Sequence, residues 1–258
     1  MLVYASESPR ATAVRDAFAA LGLPPRPGTC VVFGGDGSML RAIQTHGTDV
    51  SYVGVNCGRL GFLMNDLPGT PEVVARTVAR LLEGGRLVTP GFPRLRMRAT
   101  TRDGALHEAR ALNDVYVERM LGQTCHLRVT VDGVEVVRHL VSDGIIVATA
   151  LGSTAYTYSA GGPAAHPLLR AITVTAICAH SPRLPSLILP ETSVVRVEVL
   201  EPVRRPARAV ADGVETGGVL AVEIQGGADL VRLSFAEGHD FTSSLITKVL
   251  QGGGRAGG

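Results

Sequence analysis

Tryptophan is absent from the sequence, and lysine occurs once, at Lys248. One lysine near the end of the chain excludes a Walker-type phosphate loop, whose lysine follows the glycines directly. It also excludes Schiff-base chemistry in the middle of the chain. Positive charge rests almost wholly on arginine and is nearly balanced, with 25 Lys and Arg against 23 Asp and Glu and a formal net charge of +2. No basic stripe with interleaved aromatics forms, so nucleic acid is not an expected partner. No apolar run approaches the roughly 18 residues of a spanning helix, and no basic N-terminal stretch precedes a long apolar segment. The expectation is a cytoplasmic protein with no membrane partner. Cys30, Cys57, Cys125 and Cys178 are widely spaced and make no CxxC pair. They read as reduced core thiols rather than a disulfide framework or zinc site.

What is present suits a packed protein: 45% of residues are hydrophobic and 19% charged. The length exceeds a typical domain of roughly 100–150 residues, so two lobes are expected. Leu2, Val3 and Tyr4 read as a strand, and Ser8 with Pro9 as the cap and first position of a helix carrying Val14, Phe18 and Leu21 to Gly22. Cys30 to Phe33 is a continuous apolar run, as for a strand buried on both faces, and it enters Gly34-Gly35-Asp36-Gly37. A short helix with Met39, Leu40 and Ile43 follows, closing near Gly47. Ser51 to Val55 repeats the pattern and ends in the turn Asn56 to Phe62; Thr70 and Pro71 then open a helix with Val74, Val78, Leu81 and Leu82 on one face. Strands alternating with helices predict a parallel sheet with ligands at its carboxyl ends.

After Pro90 the period becomes two. Leu95, Met97 and Ala99 alternate with arginines, and Leu127, Val129 and Val131 lead to a hairpin turn at Asp132-Gly133. Further strands are expected at 145–149, 172–178, 194–200, 220–224 and 230–235, with a hairpin turn at Asp212-Gly213. The predicted organisation is an α/β lobe over 1–92 completed by 236–250, a mostly antiparallel β lobe over 93–235, and a frayed tail at 251–258. Phe241, Leu245 and Val249 predict a last helix that returns to the first lobe.

The Gly34–Gly37 loop lets backbone approach an anion with one carboxylate, Asp36, aimed at it. The plainer reading is a tight turn in which Asp36 caps a helix with Ser38. Arg59, in the second glycine turn, is a candidate phosphate contact. Asn113 and Asp114 interrupt a strand-like run and could bond ribose hydroxyls or a base edge; a bulge is the alternative. Asp143, Ser153, Thr154, Ala155, Tyr156 and Ser159 fall in the densest polar stretch, SDGIIVATALGSTAYTYSAGGP, and read as a pocket wall; the plainer alternative is a hydroxyl-rich helix start with Ser153 as its cap. Neither serine lies in a G-x-S-x-G elbow, so neither is a nucleophile. His180 reads equally as an acid–base group or a loop histidine.

In order along nearly the whole chain, GGDGSMLRA, GVNCGRLGFL, ALNDVYVER, DGIIVATALGSTAYTYSAGGP and the late ADG resemble the NAD kinase family. The resemblance implies an α/β lobe, a β lobe and a site between them, where ATP or inorganic polyphosphate phosphorylates the 2′-hydroxyl of the adenosine ribose of NAD to give NADP. It implies that Asp36 activates that hydroxyl, that Gly34, Gly35 and Gly37, with Ser38 beside them, line the triphosphate, and that Phe62 lies near the adenine. Asn113 and Asp114 would hold ribose and base groups. Asp143 and Asp212 would serve the nicotinamide side, and Thr154, Ala155, Tyr156 and Ser159, with Ser153, would contact the dinucleotide. Mg2+ or another divalent cation is implied through the donor phosphates, with no protein metal ligand assigned, and so is a homodimer or homotetramer. The chain departs from the family at Ala150-Leu151, where Pro-Thr is usual, at Ser38, where Thr is usual, and after His180. Two alternatives stand beside this reading: a lipid or sugar kinase sharing GGDG, and a non-catalytic dinucleotide sensor.

Overall fold

The computed structural model describes residues 1–58, 61–227 and 229–250, the side chains of Lys248 and Leu250 apart. In chain order its first elements are β1 (Leu2–Ala5), α1 (Pro9–Ala19), β2 (Thr29–Gly34), α2 (Asp36–His46), β3 (Ser51–Asn56), α3 (Pro71–Gly84), β4 (Leu87–Val88) and β5 (Gly91–Pro93). Then come β6 (Leu95–Thr101), β7 (Leu106–Ala111), β8 (Asp114–Arg119), β9 (Cys125–Val131), β10 (Val134–Ser142) and β11 (Gly144–Thr149). After α4 (Tyr156–Ser159) the chain runs through β12 (Ala171–Ile177), β13 (Leu187–Pro190), β14 (Val194–Leu200), β15 (Ala207–Ala211), β16 (Val214–Gly217) and β17 (Val219–Gln225), and ends with β18 (Leu230–Ala236) and α5 (Phe241–Leu245). Two compact units result: Met1–Phe92 with the chain from Val231 onward, and Pro93–Leu230.

The first unit is α/β. Its sheet runs β1-β2-β3-β18-β4, parallel except at β4. Ala11, Val14 and Phe18 of α1 and Val74, Val78 and Leu82 of α3 pack on Val31, Phe33, Val53 and Val55 of the sheet. That cover is why the β2 run is apolar throughout rather than alternating. α1 starts where expected: Ser8 Oγ accepts the Ala11 amide at 3.3 Å and Pro9 takes the first helical position. Leu21, expected on its buried face, lies past the helix end and is exposed.

One strand changes unit. The 230–235 run, assigned by its alternation to the β lobe, is β18, and it pairs in parallel with β3 of the first sheet. Alternation settles which faces of a strand are wet, not which sheet receives it. The first unit therefore resumes at Val231 instead of 236. Beyond it Asp240 caps α5, accepting the amides of Thr242 and Ser243 at 2.9 and 3.0 Å. Phe241 then packs edge-on to Phe92 and Phe235 at 6.2 and 5.0 Å, docking the last helix on the first unit. The tail at 251–258 lies outside the described residues.

The second unit is a sandwich of two antiparallel sheets, β10-β9-β14-β17-β6-β7 and β13-β12-β11-β8-β15-β16. Leu95, Met97, Leu127 and Val129 from one sheet meet Val115, Val117, Ile145 and Val147 from the other in a single core. The outer faces differ. The first carries cross-strand ion pairs such as Arg98–Glu108 and Arg128–Glu198. The second carries Ile146, Ala148 and Ile177 beneath Tyr116, Tyr156 and Ala160. Covered on both sides, β11 is buried at every residue. Asp132-Gly133 and Asp212-Gly213 turn with both residues left-handed, φ 49° and 80° and φ 44° and 87°, as two-residue hairpins require. The cysteines are free as expected, but Cys178 is exposed at the end of β12 rather than in the core.

Candidate functional site

In the first unit the glycine loop joins β2 to α2, with Gly35 as the helix N-cap and Asp36 in its first turn. Gly34 is required by packing, since a Cβ there would overlap the side chain of Ser38, which is buried beneath it at 4% exposure. Ser38 thus supports the loop from below and is not turned outward as a ligand contact. Gly35 has open space where a Cβ would stand, and Gly37 meets only the guanidinium of Arg41 at 3.9 Å. Neither has the positive φ that demands glycine. Their lack of side chains leaves an accessible backbone surface at a helix start, as close approach of an anion needs.

Asp36 ties this loop to the next. Its Oδ2 accepts the Phe62 amide at 2.8 Å and its Oδ1 the Leu63 amide at 3.0 Å. The second loop is itself anchored: Cys57 N–H donates to Gly34 O at 2.7 Å, and buried Asn65 donates through Nδ2 to Gly54 O and Ser234 O while accepting the Ala236 amide at 2.7 Å. Gly54 is bare because a Cβ would press on Met64, Met39 and the Leu63 carbonyl. Asn65 is a positioning residue that sequence reasoning missed. Its signal, a lone amide after an apolar run, is no different from that of any surface asparagine. Arg59 lies outside the described residues.

In the second unit the strand-like run at 111–117 breaks, as the bulge reading allowed: β7 ends at Ala111 and β8 begins at Asp114. The break is held by Asp212, which reaches from its hairpin to accept the amides of Leu112 at 2.5 Å, Asn113 at 3.1 Å and Asp114 at 3.2 Å. Thr149 Oγ1 donates to Leu112 O at 2.7 Å and accepts the Gly152 amide at 3.0 Å, and a Cβ at Gly152 would overlap Asn113. Asn113, Asp114, Asp212 and the start of the GSTAY segment are therefore one cluster. Asp114 is 6% exposed. Burial, and then the charge of Asp212, push its carboxyl up to about 7. Burial raises Asp212 to about 6 against the pull of its three amide donors and Arg94.

Other expected site residues are divided. Ser153 is fully buried, donating to Ala150 O at 2.7 Å and accepting the Ala165 amide at 2.8 Å, so it pins the loop instead of presenting a hydroxyl. Leu151 is buried at 4% exposure, which places the family's usual Thr position inside the fold. Thr154, Ala155 and Tyr156 are half-buried and Ser159 is exposed. Tyr156 stands edge-on to Tyr116 at 5.1 Å. Asp143 is at the other end of β11, paired with Arg119 Nε at 2.7 Å. At about 3.3 Å per residue, the six steps of strand from Asp143 to Thr149, whose amide donates to Asn113 O, put it roughly 20 Å from Asn113. His180 is exposed and joins neither cluster.

A family model, the ATP-NAD kinase C-terminal domain, matches residues 112–224. The chain is 33% identical over 227 residues to an NAD kinase of Rickettsia bellii, covering 86% of this chain and 85% of that one. It is 36% identical over 227 residues to an NAD kinase of Cereibacter sphaeroides, with the same coverage. Among solved structures, yeast NADH kinase complexed with NADH has a TM-score of 0.81 at 21% identity, covering 100% of this chain and 89% of that chain. An NAD kinase from Archaeoglobus fulgidus in complex with ATP has 0.77 at 25% identity, covering 96% and 98%.

Proposed function

The chain belongs to the NAD kinase family, and on that premise we propose how its own residues transfer a phosphoryl group to NAD to give NADP. The donor is ATP, the ligand of the archaeal relative, and it lies with its phosphates on the backbone of Gly35 and Gly37. Asp36 takes the proton of the attacking hydroxyl, the 2′-hydroxyl of the adenosine ribose, as the oxygen bonds to the terminal phosphorus and the bond to the departing diphosphate breaks. The observation that carries this is the fixed Asp36 carboxylate, held by two amides at 2.8 and 3.0 Å beside an open glycine surface. Positioning is most of what such a transfer asks of a protein.

Asp114, with Asn113, receives the ribose hydroxyls and base edge of NAD; Asp212 sets their backbone; Thr154, Ala155, Tyr156 and Ser159 line the same face. Among the described residues no group of three or more His, Cys, Asp or Glu is placed to hold a metal ion. We place a divalent cation on the phosphates of the donor. The separation of Asp143 from Asn113 supports a homodimer or homotetramer in which a partner copy brings it to the nicotinamide end.

The test is one coupled assay of purified protein with NAD and MgATP or inorganic polyphosphate, following NADP. NADP formation that depends on Asp36 is the expected result. Tight NAD binding without product would instead make the chain a dinucleotide sensor.

A further inference from the structure

Beside the donor loop, Arg10, Asn56, Gly58, Asp66, Leu67 and Pro68 line an open cavity of about 240 Å³ in the first unit. It is continuous with the glycine loop through backbone, since Gly34 and Asn56 are register partners on β2 and β3 and the next amide, Cys57 N–H, donates to Gly34 O. The far wall is ordered: Asn56 Nδ2 donates to Asp66 Oδ1 at 2.6 Å and Asn56 Oδ1 accepts the Gly58 amide at 2.9 Å. Arg10 is different. Its side chain is exposed at the start of α1, and among the described residues it has neither a carboxylate nor a hydrogen-bond partner. Arg41, the other arginine near the loop, is tied to the Tyr4 hydroxyl at 3.3 Å.

We infer that Arg10 is a donor-binding residue that takes the phosphate chain of the metal-complexed donor as it leaves the Gly35–Gly37 backbone. This rests on the reading of the loop as the donor site. A cavity of 240 Å³ is below the roughly 300–1,000 Å³ of clefts that take a whole ligand, so it suits part of one. An arginine, whose fork of N–H donors matches phosphate oxygens, supplies the positive charge that polyphosphate sites use.

Steady-state kinetics of the full chain, varying MgATP and NAD independently, test this in Arg10→Ala and Arg10→Lys. Arg10→Ala is expected to raise KM for MgATP by about ten-fold or more, the worth of a hydrogen bond to a charged group, with KM for NAD unchanged. Arg10→Lys should recover part of the loss. Inorganic tripolyphosphate with Mg2+ should inhibit the wild type competitively against MgATP and inhibit Arg10→Ala more weakly. An unchanged KM for MgATP in Arg10→Ala, or a rise in KM for NAD instead, overturns the inference. Should the wild type form no NADP at all, the functional reading fails separately, and calorimetric titration with MgATP still decides whether Arg10 binds it.

Discussion

Each unit contains a carboxylate held by backbone amides, and the two holdings differ in purpose. Asp36 is held by two amides from a loop 26 residues away and stands at a helix start beside bare glycine backbone. Asp212 is held by three amides about 100 residues away in sequence, with a second acid, Asp114, buried beside it. In the first unit the amides aim an acid at a surface a ligand can reach. In the second the acid aims the amides, bending Leu112 to Asp114 so that the neighbouring side chains converge. The same kind of bond thus fixes a carboxylate beside bare glycine backbone in one place and a bend of the chain in the other.

Breaking Asp36 should have the largest effect. Asp36→Asn presents an NH2 to one of the N–H donors that hold it, so it costs about 1–3 kcal/mol of stability, while removing a general base costs about 100- to 10,000-fold in kcat. NADP formation in the coupled assay should fall by that factor in a chain that still folds by circular dichroism. Asp212→Ala should invert the pattern, leaving three amides without their acceptor, with about 3 kcal/mol lost in urea unfolding and a higher KM for NAD.

The acid pair also gives a pH signature. Both folded pKa values, about 7 for Asp114 and about 6 for Asp212, lie above the ordinary carboxylate range. Between about pH 4 and pH 7 the unfolded chain therefore loses protons that the folded chain keeps. Their contribution should favour folding at low pH, decline as pH rises through that window and level off above about 7; a Tm series over pH 4–8 in Asp114→Asn against wild type isolates it. Asp114→Asn should flatten the decline and raise Tm at pH 8. Its KM for NAD at pH 8, where Asp114 is ionised, should increase about ten-fold, because a neutral amide replaces a charged acceptor of ribose hydroxyls. The smallest expected effect is at Gly35→Ala, where the open space predicts a Tm change within about 0.5 kcal/mol equivalent and a loss confined to KM for MgATP.

Much of this was readable in the sequence because it is local. The cap at Ser8-Pro9, the apolar run into Gly34 and the hairpin turns at Asp132-Gly133 and Asp212-Gly213 each follow from a few adjacent residues, and each forms as expected. Asp36 and Asp114 stood out for the same reason, as acids in unusual company. What was not readable is long-range. The reach of Asp212 to Leu112, the grip of Asn65 on Ser234 and Ala236, and the parallel seat of β18 all join residues about 100 or more positions apart. The inward bonds of Ser153 to Ala150 O and the Ala165 amide were not readable either, because a hydroxyl facing inward and one facing a ligand are written with the same letter.

The place of β18 bears on how the protein is made. Its neighbours β3 and β4 emerge from the ribosome early, yet the strand that fits between them follows the entire Pro93–Leu230 insert. At about 5–20 residues per second that delay is on the order of ten seconds. The sandwich can complete itself during the wait, whereas the sheet beneath the glycine loop stays split, with Asn65 lacking its Ser234 and Ala236 partners. Newly made chains can therefore complete the sandwich before the sheet beneath the glycine loop closes.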